Sequence, residues 1–356
     1  MMTINAQRIA LGDGRNNLNM LLEEAGVRRP FLLCGKSFRH LPCAAWEIAS
    51  APRFDDIEPN PEIAGVRRAI AAFAASGCDG IVAVGGGSVL DTAKGVKAFW
   101  KTAPGSELRG EITDTGLPLV AVPTTAGSGS ESTAGAVIYE NGVKYSASHP
   151  SLLPGYVLLD GALLKTLPAY QKKCTLLDAL CQAIESHWSR KASAQSRALA
   201  EAAIAGILPE IDAYLAGEDA AAQRMLEAAN LAGQAICLTA TTAPHAMSYK
   251  LTKLYGIPHG HAVAVCLPRV WRYMAACGDG ALQSELHTLS RLLGGTDGAG
   301  IMEGLLEKLG IAPPAVRAED LDALAASVNV QRLSNNPLPL DTAALRALYA
   351  SLASGA

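Results

Sequence analysis

The feature that most limits the fold of this chain is a change of pattern partway along it. Before about Leu164, short unbroken apolar runs, Pro30–Cys34 (PFLLC), Gly80–Val84 (GIVAV) and Pro118–Val122 (PLVAV), alternate with helical stretches such as Ile63–Ser76. Runs with no polar face suit strands buried on both sides, and helical crossovers make such strands parallel. From Pro168 onward the strand signals give way to Ala-rich segments of 3.6-residue period, notably Gln195–Ala216 and Asp219–Leu238. The expected fold is therefore α/β plus all-α, with a Rossmann-like parallel-sheet domain over 1–164 and a helical domain over 165–356. The join falls near Tyr156–Pro168, where a last strand yields to a helix that Pro168 starts. At 356 residues the chain exceeds the usual single domain, and a cleft between two domains is the natural place for chemistry.

Charge narrows the partners. A net charge of -3 offers no basic face for nucleic acid or an anionic membrane, so a small molecule is expected. The eight cysteines form no C-x-x-C pair and lie mostly in apolar segments, which fits a reducing compartment. The start, MMTINAQRIALGDGRNN, lacks a basic stretch followed by an apolar core, and no run reaches the roughly 18 apolar residues of a membrane span. A cytoplasmic location is expected.

The first chemical signal is AVGGGSVLDTAK, Ala83 to Lys94. A buried strand ends at Val84, glycines 85 to 87 follow, and Ser88 is expected to cap a helix starting near Val89. Glycines let backbone N–H groups approach an oxyanion, and a helix start adds its positive end, so the turn suits a pyrophosphate. A tight turn that binds nothing is the plain alternative. A second strand runs into PTTAGSGSE, Pro123 to Glu131, placing hydroxyls where open α/β sheets bind ligands. One nucleotide across both turns would touch Gly85, Gly86, Gly87, Ser88, Asp91, Thr124, Thr125 and Ser128, with Lys144 a further candidate.

The second signal lies in two later segments. In QKKCTLLDALCQAIESHW, Asp178 and Gln182 are four apart and share a helical face. In TTAPHAMSYKLTKLYGIPHGHAV, Pro244 starts a helix carrying His245 and, one turn on, Tyr249; His259 and His261 follow after that helix ends. Any single histidine here reads more simply as a hydrogen-bonded core residue. As a set, one Asp and two His from separate segments form an oxygen-plus-imidazole site for a divalent ion.

The ordered signatures GGGSxxDxxK (Gly85 to Lys94), PTTAGSGSE, DALxxAIE (Asp178 to Glu185) and the HxxxxxxxxxxxxxHG of His245 to Gly260 resemble those of the iron-containing (group III) alcohol dehydrogenases. The likeness runs from LGDGR near the start to NNPLPLD near residue 340. It implies the dehydroquinate synthase-like architecture, an N-terminal dinucleotide domain, a C-terminal helical domain and a divalent metal, usually Fe(II), between them. Zn(II) and Mn(II) remain open, and a homodimer is expected. Carried over, Asp178, His245 and His259 fall on metal-ligand positions. Gln182 stands where the family has a histidine, and its neutral carbonyl is a weaker ligand. Tyr249 stands where many members carry a histidine thought to assist proton transfer, so it either relays a proton or packs on the pocket.

The reaction implied is reduction of an aldehyde, with the metal as Lewis acid and NADPH or NADH as hydride donor. Tyr249, a water or His261 would return the proton, although His261 reads more simply as a surface histidine beside a turn. In LLCGKSFRH, the place where an acid would bind the ribose 2′-hydroxyl holds Gly35, followed by Lys36, Ser37 and Arg39, so NADPH is expected to be accepted or preferred. The stretch HAMSYKLTKLYGIPHGHAV resembles the phosphonoacetaldehyde reductase branch, which makes 2-hydroxyethylphosphonate in phosphonate pathways. Lys250, Lys253, Lys144 and His261 are the cations that such an anionic tail would need. A neutral short aldehyde or primary alcohol is the alternative substrate. A cyclase of the dehydroquinate-synthase kind, or a homologue that binds nucleotide and metal without catalysis, are the alternative functions.

Overall fold

A computed structural model describes residues 7–103, 105–141, 143–329 and 333–353, so residues 1–6 of the MMTINAQ start lie outside the described residues. The chain divides into two compact units, Met1–Leu167 with Ala216–Gly233, and Pro168–Leu215 with Gln234–Ala356.

The first unit runs β1 (Arg8–Leu11), α1 (Gly14–Glu24), β2 (Pro30–Cys34), β3 (Arg53–Phe54), α2 (Ile63–Ser76), β4 (Gly80–Gly85), α3 (Gly87–Phe99), β5 (Leu119–Pro123), a hairpin of β6 (Gly135–Glu140) and β7 (Val143–Ser148), and β8 (Tyr156–Leu159). Strands in the order β1-β8-β5-β4-β2-β3 form one parallel sheet. Side chains alternate across it: Val82 and Val84 join the core on one face, Ile81 and Ala83 the core on the other. Helix α1 closes the first face through Leu18 and Leu21, while α2 and α3 close the second through Phe73, Leu90 and Val96. Each fully buried Leu, Val or Phe contributes about 1.5–3 kcal/mol, so a strand apolar on both faces has no stable alternative to this sandwich of layers. The sheet leaves the carboxyl ends of neighbouring β2, β4 and β5 on one edge, and every glycine or hydroxyl turn noted above leaves from that edge.

Residues 216–233, which the helical pattern alone placed with the second half, pack with the first unit. Polar contacts explain it. Gln223 accepts from the Gly161 amide at 2.7 Å and donates to the Leu159 carbonyl at 3.0 Å, closing off the end of β8. Farther along, Gly233 lies so near Gly129 that a Cβ would sit 2.7 Å from its Cα.

The second unit is helical: α4 (Ala169–Trp188), α5 (Ala194–Ile207), α6 (Ile211–Ala216), the end of α7 (Asp219–Thr239), α8 (Ala243–Tyr255), α9 (His259–Cys277), α10 (Gly280–Leu292), α11 (Gly298–Leu309), α12 (Leu321–Ala326) and α13 (Thr342–Ala353). The expected helix Gln195–Ala216 is interrupted, because Pro209 lacks an amide proton and leaves a 3₁₀ turn at Leu208–Glu210. Helix α4 is the core helix, buried at every position from Leu176 to Trp188. Asp178, Gln182, Glu185 and His187 lie on that stretch, and buried polar groups must find partners. Among the described residues no helix is long and apolar enough to cross a membrane.

Candidate active site

In the first unit the two turns expected to hold a nucleotide lie side by side. The Thr124 amide donates to the Gly85 carbonyl at 3.1 Å. A Cβ on Gly86 would come within 3.3 Å of Thr125, and one on Gly87 within 3.1 Å of Ser128. At Gly85 a Cβ would meet Val89 at 2.4 Å, so only glycine lets α3 start this close to its strand. The helix begins at Gly87 with Gly86 as its extended N-cap, earlier than expected. Ser88 therefore sits inside the first turn and caps nothing; its hydroxyl accepts from the Asn60 amide at 3.2 Å. Asp91 is held within the first unit. Its carboxylate accepts from the Ser130 hydroxyl at 2.7 Å and the Val137 amide at 2.9 Å, which fastens α3 to the hydroxyl turn and to the hairpin. Burial raises its pKa, opposed first by Lys94, and Lys144 lies on β7.

At the end of β2, Gly35 is extended and precedes a 3₁₀ turn, Lys36–His40. Lys36, Ser37 and Arg39 are exposed, and Arg39 donates to His40 at 3.0 Å. The nearest strand end, β3, leads to Asp55 and Asp56, acids the reading of LLCGKSFRH did not include. Arg68 holds Asp56 at 2.8 Å, and Arg53 lies 3.7 Å from Asp55.

The second unit gathers Asp178 from α4, His245 from the first turn of α8, and His259 from the first residue of α9. One ligand atom from each lies within 4.8 Å of the others. Gly260 makes this convergence tight: a Cβ there would sit 1.9 Å from the Cys174 carbonyl oxygen and 3.0 Å from the Asp178 Cβ. The glycine after His259 is thus what lets α9 begin against α4. Gln182, one turn beyond Asp178, is 3% exposed and hydrogen-bonds the Asp178 carboxylate.

The protons in this cluster follow from its partners. His245 presents Nδ1 to the Glu185 carboxylate and Nε2 to Asp178 Oδ1 at 3.2 Å. Carboxylates only accept, so both ring nitrogens carry protons. Burial opposes that charge, yet Glu185 and Asp178 outweigh it and raise the His245 pKa to about 9. Burial likewise opposes ionisation of Asp178, and the two histidines overcome it, holding its carboxyl below the usual range. The Ser248 hydroxyl donates to the His245 carbonyl at 2.8 Å, so its oxygen accepts from His259 Nδ1 at 3.2 Å. His259 Nε2 lies 4.0 Å from Asp178 Oδ1. A proton on His245 already supplies positive charge at the point where a carboxylate and two imidazoles meet. The donor set fits a divalent ion, which would take that proton's place.

Glu185 was missed as a functional residue. It is 0% exposed, and its second oxygen accepts from the Thr242 amide at 2.6 Å and the Thr242 hydroxyl at 2.8 Å. One carboxylate therefore anchors the start of α8 and orients the histidine that α8 carries. Its signal was present: Glu185 lies seven residues after Asp178 and shares its helical face. One other expectation changes. His261 is buried, 7% exposed, not a surface residue. Its Nε2 donates to the Ala312 carbonyl at 2.7 Å and its Nδ1 accepts from the Tyr170 hydroxyl at 2.8 Å, so both nitrogens are engaged away from the cluster. Lys250 is half-buried on α8. Tyr249 does join the cluster, its ring stacked on His259 at 5.4 Å and 12°.

A parallel sheet with a glycine turn at its carboxyl edge, and a carboxylate–imidazole cluster on buried helices, are the two features expected above for a dinucleotide and a metal. The chain belongs to the iron-containing alcohol dehydrogenase family, whose N-terminal model matches residues 6–161 and whose C-terminal model matches residues 173–353. It is 38% identical over 70% of its length to "Probable alcohol dehydrogenase EutG" of Escherichia coli, and spans 62% of that protein's length. It is 33% identical to the phosphonoacetaldehyde reductase of Streptomyces viridochromogenes, over 80% of this chain and 78% of that one. The structure of sulfoacetaldehyde reductase from Bifidobacterium kashiwanohense in complex with NAD+ superposes with a TM-score of 0.89 at 26% identity, covering 99% and 98% of the two chains.

Proposed function

We propose that this chain reduces a short aldehyde to a primary alcohol, using NADPH or NADH and a divalent ion, Fe(II) first among them. The observation that carries the reading is the convergence of Asp178, His245 and His259 within 4.8 Å. These three would hold the ion, with Gln182 as a neutral and weaker fourth ligand. When bound, the ion supplies Lewis acidity to a carbonyl oxygen and the dinucleotide supplies hydride. Glu185 keeps Nδ1 of His245 protonated and so turns Nε2 toward Asp178. On the nucleotide side, Gly85 to Gly87, Thr124, Thr125 and Ser128 would cradle the dinucleotide, while Gly35 and Lys36 leave room and charge for a 2′-phosphate. Asp91 and Ser88 brace that turn from behind.

Phosphonoacetaldehyde, reduced to 2-hydroxyethylphosphonate, is the substrate we put first. Two relatives support an anionic two-carbon aldehyde, the phosphonoacetaldehyde and sulfoacetaldehyde reductases. A neutral short aldehyde is the second reading, and one observation favours it: Lys253 is exposed to solvent. We further propose a cytoplasmic homodimer, on the family likeness and the composition. The test is a side-by-side assay of phosphonoacetaldehyde and propanal with NADPH and added Fe(II). The first reading expects a lower KM for the phosphonate, an advantage that shrinks as salt screens exposed charge, and a raised KM for it in Lys250→Ala. Equal kcat/KM for both aldehydes selects the second reading. Turnover of neither would leave a binding homologue, and product formation without net cofactor oxidation would indicate a cyclase.

A further inference from the structure

His259 is the most exposed of the three clustered residues. Its side chain is 37% exposed, against 4% for His245 and 9% for Asp178. An imidazole in that position turns about its Cβ–Cγ bond unless neighbours stop it, and a half-turn would put the carbon Cε1 where Nε2 faces Asp178. Ser248 restrains one nitrogen from the ring's edge. His245 meets the ring edge-on at 5.3 Å and 67°. Tyr249 lies parallel to it: its ring is 5.4 Å away and within 12° of parallel, one helical turn after His245 on α8.

We propose that Tyr249 is a positioning residue, whose aromatic ring fixes the plane of His259 and so keeps Nε2 aimed at Asp178. The inference rests on the metal reading above. The phenol ring is the acting part, because stacking needs a flat π-face and no hydroxyl. An imidazole made electron-poor by a cation on Nε2 is attracted to that face more strongly than a neutral one, so the stack favours the loaded site. Position 249 is also suited to this role by geometry alone. A residue four after His245 shares its helical face, and α9 brings His259 onto that face.

Co(II) titration of the purified, metal-stripped protein tests the proposal, read by the visible absorption of the bound ion and checked for folding by circular dichroism. Tyr249→Phe is expected to bind Co(II) with wild-type affinity and an unchanged spectrum. Tyr249→Leu is expected to bind on the order of tenfold more weakly, the usual effect of losing a group that orients a ligand, with altered absorption bands. A Leu variant with wild-type affinity and spectrum overturns the inference while leaving the metal reading intact. A Phe variant as weak as the Leu variant also overturns it, because the hydroxyl would then be the acting part. A wild-type protein that binds no Co(II) overturns the metal reading and this inference together.

Discussion

Glu185 shows why single residues carry so much of the candidate site. Its carboxylate is fully buried and serves three donors: His245, and the amide and hydroxyl of Thr242. Replacing it with glutamine keeps the size and removes the charge. Glu185→Gln is expected to weaken divalent-metal affinity about 10- to 100-fold, measured by competition with a chelator; affinity within about twofold of wild type would mean His245 needs no such support. Gly260 makes the opposite point, that an absent side chain positions a site. Gly260→Ala would push a methyl into the Cys174 carbonyl and is expected to cost about 1–3 kcal/mol, seen as a lower midpoint in urea. An unchanged midpoint would show that α9 moves freely against α4. Cofactor choice is decided at this scale too. With Gly35 and Lys36 at the end of β2, kcat/KM with NADPH is expected to equal or exceed that with NADH; a preference for NADH above about tenfold would transfer the decision to Asp55 and its neighbours, since an acid there repels a 2′-phosphate.

Among the elements, those with a regular and sufficiently long burial pattern were readable and those at an edge were not. Helix α2 occupies Ile63–Ser76 and β2 occupies Pro30–Cys34, as the pattern indicates. Strands β1 and β3 are four and two residues long and lie at the sheet's two edges, where one partner suffices and the apolar signal is short. The β6–β7 hairpin had a signal that went unused, alternating residues around Asn141, which adopts the left-handed conformation at φ 53. Elsewhere, the stretch between α3 and β5 is held by an ion pair no pattern announces. Arg67 on α2 grips Glu107 with two bonds, 2.8 and 2.9 Å, and the Gly105 amide adds a third at 2.8 Å. Arg67 is the main reason the Glu107 carboxyl falls from 4.5 to about 2. A carboxyl depressed in the folded state contributes stability above its unfolded pKa and loses it as pH falls toward the folded value. Wild type is therefore expected to lose stability between about pH 4.5 and pH 2 through this pair, and Glu107→Gln to lose less over that window. Parallel pH profiles for the two proteins in thermal melts would contradict the assignment.

At the scale of the whole molecule, the alternation of strands and helices was enough to foresee an α/β half followed by an α half. It was not enough to assign residues 216–233, because the contacts that claim them, Gln223 on Gly161 and Leu159, are polar and distant in sequence. The same limit applies to His261, whose partner Ala312 comes from the last quarter of the chain. The grouping of Asp178, His245 and His259 was legible because ordered motifs named them, while the hydrogen bonds that orient them, from Glu185 and Ser248, needed three dimensions. The central claim is that these three residues together retain a divalent ion. Elemental analysis of purified wild type beside Asp178→Ala, His245→Ala, His259→Ala and Gln182→Ala tests it most directly. Stoichiometric metal in wild type, near-complete loss in the first three variants and a smaller loss in Gln182→Ala is the predicted result; full metal content in His259→Ala would contradict it.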